Sequence, residues 1–159
     1  MKERVIALGF FDGVHLGHGA LLRRAAEEAA LRGCTPAVFT FDRPPKEVVT
    51  GVPCPLINSP EDRRDLVRRL YRIQDVLMVP FDREMMTTPW DDFIVRILVG
   101  RYHAVHLVAG HDHHFGHRNQ GTPELLAQKC AQLGLGCDII PKVELEGVTV
   151  SSTYIRTLV

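Results

Sequence analysis

Short apolar segments alternate with amphipathic ones along the whole chain. The apolar segments are RVIALG (4–9), PAVFTF (36–41), DVLMVP (75–80), AVHLVA (104–109) and CDIIPK (137–142). Most of them are continuously apolar, as expected for strands of a parallel sheet that is covered on both faces. The sequence therefore predicts an α/β fold with a Rossmann-like, doubly wound parallel sheet of about five strands.

Between these strands, apolar residues recur at helical spacing and predict four helices. The first spans 21–30, the second carries Leu66, Val67 and Leu70, the third spans 90–98 and the fourth 125–133, with Gly134 placed to end it. Three of the helices begin alike: Ser59-Pro60-Glu61, Thr88-Pro89 followed by Asp91, and Thr122-Pro123-Glu124. Each hydroxyl residue is predicted to cap its helix, with an acid beside the positive helix end.

Two further helix starts contain no acid. One follows GFFDGVHLGH (9–18), and its first charged residues are Arg23 and Arg24. The other is SSTYIR (151–156), which follows the hairpin-like VELEGVTV (143–150) and ends on Arg156. Because a helix N-terminus presents free N–H groups and partial positive charge, we expect both starts to face one shared phosphate-bearing ligand. The alternative is an ordinary serine cap with a solvated Arg156.

The segment GFFDGVHLGH adds glycines and histidines to the first of these helix starts. Gly9, Gly13 and Gly17 allow close approach of a ligand to the backbone, and His15 and His18 can donate hydrogen bonds to phosphoryl oxygens. Their spacing differs from the i, i+4 histidine pair of HExxH zinc sites. Sheets of this class bind ligands beyond the carboxyl ends of their strands, so we expect the site in the loops 10–17, 42–58 and 110–121.

Composition narrows the class of protein. The length of 159 residues predicts a single domain over 1–159. The 19 basic and 19 acidic residues give a net charge of zero, which argues against a nucleic-acid partner. No apolar run approaches the roughly 20 residues of a membrane span. The four cysteines form no CxxC pair and the N-terminus has no signal-peptide pattern, so we expect a cytoplasmic protein with reduced thiols. The oligomeric state is left open.

The run GFFDGVHLGH resembles the signature of the HxGH nucleotidylyltransferase superfamily, in the form found in the FAD synthetase (FMN adenylyltransferase) module of bacterial riboflavin kinase/FAD synthetases. The terminal SSTYIR resembles the ISSTxIR element of that family, with Val150 in place of the isoleucine. Between them, VPFD (79–82), DFI (92–94), GHDHHFG (110–116) and Gly121 follow in the expected order. The resemblance therefore spans nearly the whole chain.

The resemblance implies transfer of AMP from MgATP to FMN, which yields FAD and pyrophosphate. It implies that His15 and His18 contact the α-phosphate, and that Ser152 and Arg156 hold the β- and γ-phosphates. The nucleotide is expected beside Gly9, Phe10, Phe11, Asp12, Gly17, Gly110, Asp112, Ser151 and Thr153. FMN is expected beside His113, Phe115, Arg118 and Asn119. Asp42 and Asp112 are the carboxylates expected to support Mg²⁺, directly or through water.

Three positions depart from the family pattern. FDRPP (41–45) lacks the histidine of the family's FxPHP, His113 replaces the first phenylalanine of GxDFxFG, and Thr122 replaces an acid or amide. The alternatives left open are another phosphorylated acceptor (a phosphopantetheine, nicotinamide mononucleotide or glycerol phosphate) and a non-catalytic nucleotide- or flavin-binding paralogue. No riboflavin kinase sequence follows Val159, so the kinase domain is expected to be absent or to lie outside the sequence.

The segment 103–117 holds six of the eight histidines. One alternative is a zinc or nickel site formed by His111, His113, His114 and His117, although no cysteine or glutamate is spaced to complete a recognised ligand set. A second interpretation is a solvated loop. A third is that His113 or His114 stacks on a ring of the acceptor.

Overall fold

A five-stranded parallel sheet forms the centre of the molecule. The computed structural model describes residues 2–9, 16–43, 50–52, 59–141, 143–145 and 148–150, with the backbone alone for 16–18 and the last two segments. The strands are β1 (Arg4–Leu8), β2 (Thr35–Phe41), β3 (Asp75–Val79), β4 (Ala104–Gly110) and β5 (Gly136–Ile140). They lie in the order β3-β2-β1-β4-β5 with every pair parallel, which confirms the predicted fold class.

Helices connect these strands. They are α1 (Leu16–Arg32), α2 (Pro60–Tyr71), α3 (Arg83–Met86), α4 (Trp90–Asp92) and α5 (Pro123–Leu133). A π-helix continues α4 over Phe93–Arg101, a 3₁₀ turn spans His117–Asn119, and the predicted hairpin is present as β6 (Val143–Leu145) and β7 (Val148–Val150). No helix within these described ranges is both long and apolar enough to cross a membrane.

Both faces of the sheet are buried, which explains why the strands read as continuously apolar. Along β1, Ile6 and Leu8 pack on one side of the sheet with residues of the π-helix and α5. Val5 and Ala7 pack on the other side with α1 and with Val67 of α2. Successive strand side chains point to opposite faces, so each β1 residue enters one of two separate cores.

The helix starts follow the predictions in two of three cases. The hydroxyl of Ser59 accepts from the Asp62 N–H at 3.1 Å, and that of Thr122 accepts from the Leu125 N–H at 3.2 Å. The prediction for Thr88 is wrong: its hydroxyl donates to the Glu84 carbonyl at 2.8 Å, and Pro89 stands at the start of α4 without a side-chain cap. The reason is the short helix α3, which the periodicity missed and whose last carbonyls Thr88 satisfies.

Two other helical predictions need correction. The third helix was expected to be an ordinary α-helix, but most of it has π-helical hydrogen bonding. Its buried residues Phe93, Ile94, Ile97 and Leu98 suit either pattern, so apolar spacing could not separate the two. On α2, Leu70 is 60% exposed, and Arg63 is buried alongside Val67 instead.

A charged cluster at the amino-terminal edge of the sheet ties α1 to β4 and β5. His106 Nε2 lies 2.9 Å from Asp138 Oδ2, and His106 Nδ1 lies 3.7 Å from Glu28 Oε1. Arg24 donates to both carboxylates, each at 2.9 Å, and Arg32 donates to Glu28 at 3.0 Å. Burial raises the pKa of Asp138, but the hydrogen bonds from His106 and Arg24 outweigh it and leave that pKa below its usual value.

Gly136 leaves the space that this cluster occupies. It pairs with His106 across the sheet, and a Cβ at position 136 would collide with His106 Nδ1 and lie 2.6 Å from an Arg32 guanidinium nitrogen. We expect Gly136→Ala to lower the free energy of unfolding by about 1–3 kcal/mol, as overpacking of a filled site does. Urea denaturation measures this change.

The control is the same substitution in a His106→Ala background, where the ring is gone and the loss should be much smaller. Equal losses in both backgrounds would show that the imidazole is not what excludes a side chain at position 136.

Candidate active site

An aromatic cavity opens beyond the carboxyl ends of β1 and β2. Its volume is about 190 Å³, and most of its wall is apolar. The lining residues are Leu8, Gly9, Phe39, Phe41, Phe81, Met85, Phe93, His113, His114, Phe115, Gly116 and Asn119. The strand order reverses between β1 and β4, so the cavity lies at the crevice where such sheets bind ligands. A largely apolar cleft with a few polar groups is the usual form of a small-molecule site.

Edge-to-face contacts hold the phenylalanines of the cavity in place. The Phe39 ring packs against Phe41 at 5.4 Å and against Phe93 at 5.3 Å between ring centroids. The Phe41 and Phe81 rings are 4.8 Å apart with planes inclined at 71°. Each ring is fixed by its neighbours, so the wall is a pre-formed surface for another flat, apolar group.

The loop after β4 closes the opposite side of the cavity. The His113 ring stacks on Phe115, with centroids 5.8 Å apart and planes 15° from parallel. Phe115 and Gly121 exchange backbone hydrogen bonds of 3.2 and 2.8 Å, which fix the base of the loop. Gly116 has φ of 79°, and a Cβ there would lie 2.6 Å from Trp90 Cα, so only glycine fits this close approach to α4.

Partial burial of His113 favours the uncharged form of its ring. Loss of solvation lowers the pKa of His113 to about 4, against the opposing effect of the Asp112 carboxylate. At pH 7 the ring is therefore a neutral, flat surface with one N–H donor and one acceptor. It can stack on an aromatic ligand and hydrogen-bond to its edge.

The structure places the predicted site residues in different parts of the molecule. Gly9, His113, Phe115 and Asn119 line the same aromatic cavity, which supports grouping them in one site. Gly110 ends β4, and Asp112 and Arg118 are exposed; Arg118 is not among the lining residues. Gly17 and His18 lie in the first turn of α1, which begins at Leu16 and contains no acid there. The remaining predictions fall outside the described residues: Phe10, Phe11, Asp12, His15, Ser151, Ser152, Thr153 and Arg156.

Two carboxylates were predicted to support Mg²⁺. Asp42 Oδ1 accepts the Phe81 N–H at 3.1 Å and lies 4.0 Å from Arg43 Nε, while Asp112 is exposed in the loop after β4. Both offer the hard oxygen ligands that Mg²⁺ prefers. Asp42 follows β2 and Asp112 follows β4. Because β1 lies between these two strands, the strands are roughly 10 Å apart. This spacing favours only one of them as a direct ligand of any single ion.

The loop histidines do not form a cluster of metal ligands. Within the described ranges, the one group of three potential ligands that converge is Glu28, His106 and Asp138. Its two carboxylates face opposite nitrogens of one imidazole and are already paired with arginines. One ion cannot bind both nitrogens of a ring, so this arrangement fits a charge network better than a metal site.

Several lining residues were missed because the sequence assigned them only to the core. Leu8, Phe39 and Phe41 belong to the ends of predicted strands, and Phe93 belongs to a predicted helix. Met85 lies in the short helix α3 and Phe81 lies just before it, and this helix was not predicted. The sequence signal for these residues was the concentration of phenylalanines near strand ends, where fewer large core residues are expected.

Comparisons with known proteins identify the family of the chain and agree with its fold. The model of the family described as FAD synthetase matches residues 1–154. A bifunctional riboflavin kinase/FMN adenylyltransferase of Listeria monocytogenes is 33% identical over 156 residues, covering 97% of this chain and 49% of the relative. That of Bacillus subtilis is 32% identical over 157 residues, covering 98% and 49%. The chain thus spans about half the length of the curated relatives it matches.

A solved structure shares the architecture. The crystal structure titled as a macrolide-efflux protein from Streptococcus pneumoniae superposes with a TM-score of 0.83 at 27% identity, covering 98% of this chain and 50% of that one.

The protonation of His113 can be measured directly. We expect its imidazole protons to titrate in NMR spectra with a midpoint near 4, because burial against Phe115 disfavours the charged ring. In urea-unfolded protein the midpoint should return to about 6.5. Since the folded pKa is the lower one, the contribution of His113 to stability is complete above about pH 6.5 and is lost as the pH falls towards 4. A folded-state midpoint of 6 or more would contradict a desolvated His113 ring that is neutral at pH 7.

Proposed function

Because the chain belongs to the FAD synthetase family, we propose that it transfers AMP from MgATP to FMN. A phosphate oxygen of FMN bonds to the α-phosphorus of ATP. The bond from that phosphorus to the α–β bridging oxygen breaks, and pyrophosphate leaves. No covalent enzyme intermediate is required, so the protein's task is to align the reactants and stabilise charge.

The observation that carries the proposal is the aromatic cavity beside Gly9, in a chain of this family. The isoalloxazine of FMN is flat and largely apolar, and it suits a space between the phenylalanine wall and the neutral His113 ring. Asn119 and the backbone of the loop can supply polar contacts to the ring edge. Gly9 lines the cavity directly after β1, and from there the FMN phosphate would extend towards the first turn of α1.

The nucleotide half of the proposal rests on the motifs. His15 and His18 would donate to the α-phosphate as it becomes pentacoordinate, and Ser152 and Arg156 would hold the β- and γ-phosphates. The acid-free first turn of α1 supports this, because a carboxylate there would repel the triphosphate. Mg²⁺, held by Asp42 or Asp112, would neutralise charge on the triphosphate and on the leaving pyrophosphate.

The partners and the location of the protein are also part of the proposal. ATP and FMN are proposed as the partners, with no nucleic acid, because the net charge is zero. Cys34, Cys130 and Cys137 are free thiols, which suits the cytoplasmic location proposed here.

The first experiment asks whether the chain makes FAD. Purified protein is incubated with MgATP and FMN, and FAD and pyrophosphate are quantified by chromatography and a coupled assay. We expect one pyrophosphate per FAD, and neither product when EDTA removes the metal. Nicotinamide mononucleotide, phosphopantetheine and glycerol phosphate serve as competing acceptors. Adenylylation of one of these with no FAD would reassign the acceptor, and ATP binding without pyrophosphate release would indicate a non-catalytic protein.

The second experiment tests His18. We expect His18→Ala to lower kcat at least about 10²-fold while the affinity for ATP changes little, since the imidazole acts mainly on the developing charge. His103→Asn is a matched control at the opposite edge of the sheet; its left-handed backbone (φ of 58°) accepts asparagine, and activity should be unchanged. Equal losses in kcat and in ATP affinity for His18→Ala would assign His18 to ground-state binding.

A further inference from the structure

Arg63 is a buried charged residue beside the carboxyl end of β2, the strand that carries Phe39 and Phe41 of the cavity wall. It lies in the first turn of α2, is 1% exposed, and heads the largest fully buried side chains of the described residues. The helix start fixes its place: the Ser59 hydroxyl accepts from the Asp62 N–H, and the Arg63 N–H bonds the Ser59 carbonyl at 2.9 Å. Burying a guanidinium is costly, so what it contacts matters.

The guanidinium reaches the carboxyl end of β2. Nη1 donates to the Thr40 hydroxyl at 3.2 Å, and Nη2 donates to the carbonyls of Phe41 and Asp42 at 2.9 and 3.1 Å. These groups lie where β2 leaves the sheet, so Arg63 fixes the strand end beyond the regular ladder. A planar fork of donors can bind three acceptors at once, which an ammonium on a flexible stem does less well.

The same strand end holds the aromatic wall. Phe41 lines the cavity, and its ring packs against Phe81 at 4.8 Å. Asp42 accepts the Phe81 N–H at 3.1 Å, so Phe81 is tied to the segment that Arg63 holds. The contacts therefore run from Arg63 to the backbone of Phe41 and Asp42, and from there to both rings. Through these contacts Arg63 supports the phenylalanine wall of the cavity.

We propose that Arg63 is a positioning residue for the acceptor: it sets the placement of Phe41 and Phe81 and thereby the fit of the flat ring of FMN. This inference rests on the proposed function. Arg63 would act on the flavin ring indirectly, through the strand end that carries Phe41 and holds Phe81. Loss of Arg63 should therefore weaken flavin binding selectively and leave ATP binding nearly unchanged.

The test compares Michaelis constants for the two substrates. We expect Arg63→Gln to raise KM for FMN about tenfold and Arg63→Lys to raise it less, with KM for ATP within about twofold of wild type in both. Arg69→Lys is the matched control: it lies on the same helix, is 67% exposed at its side chain and pairs with Asp65, and neither constant should change. Circular dichroism and thermal melting establish the folded fraction of each variant.

A second variant protects the test against misfolding. Thr40→Val removes one acceptor of Arg63 with little change of shape, and it should raise KM for FMN by about threefold with the same selectivity. A rise of both Michaelis constants together, or a lower melting temperature with neither constant changed, would overturn the positioning role.

Failure of the proposed function is distinguished by binding alone. Quenching of riboflavin fluorescence reports on the cavity without any reaction. If wild type forms no FAD but binds riboflavin, and the Arg63 and Thr40 variants bind it more weakly, the adenylyltransferase proposal fails and the positioning role stands. If wild type forms FAD and the variants bind riboflavin as well as it does, the positioning role fails alone. If wild type neither forms FAD nor binds flavin, both fail.

Discussion

The burial of β1 between two parallel neighbours is the constraint on which the rest of the structure depends. Because β2 and β4 lie on either side of β1, the connections that leave these strands run in opposite directions. Their carboxyl ends consequently enclose a crevice, as at the reversal point of other sheets of this class. Gly9, the end of β2 and the loop after β4 lie at this edge because each stands at the carboxyl end of one of these three strands. The candidate site therefore lies at the carboxyl edge of the sheet, where the strand order reverses.

The two edges of the sheet have different chemistry. At the amino-terminal edge, arginines of α1 compensate the carboxylates around His106, and the ring lies in a space that Gly136 leaves. At the carboxyl edge, aromatic rings leave a cavity that the protein itself does not fill. One edge thus holds α1 against the sheet, and the other contains the cavity proposed to bind the flavin. Arg63 connects the helical layer to the second edge through backbone carbonyls, and it holds a strand end without narrowing the cavity.

Much of the fold could be predicted because its signals are local. The five continuous apolar runs, the caps at Ser59 and Thr122 and the left-handed Gly134 each depend on a few neighbouring residues. The errors arose where distant residues decide the outcome. Thr88 donates a hydrogen bond to the end of a four-residue helix that is too short for periodicity to reveal. On α2, Arg63 is buried and Leu70 is exposed, because the acceptors of Arg63 lie more than twenty residues away in the sequence.

The sequence motifs indicated where the candidate site lies but not which residues form the wall of the cavity. The GHDHHFG segment contains four of the lining residues, and Gly9 begins the glycine-rich segment, most of which lies outside the described residues. The phenylalanines of β2 and of the π-helix, by contrast, are indistinguishable from core residues in sequence. The stacking of His113 on Phe115 was not predicted, because the sequence interpretation placed His113 or His114 against a ring of the acceptor. The partial burial of His113, which favours the neutral ring, depends on the bridge between Phe115 and Gly121 and on the contact of Gly116 with Trp90.

The central claim is that the aromatic cavity receives the flavin ring while the nucleotide lies at the start of α1. A crystal structure of the chain with FMN and a non-hydrolysable ATP analogue tests it most directly. The account predicts isoalloxazine density between His113 and the rings of Phe41 and Phe81, with the FMN phosphate directed past Gly9 towards the α-phosphate of the analogue. An empty cavity with the flavin bound elsewhere, or an adenine ring occupying the phenylalanine wall, would contradict it.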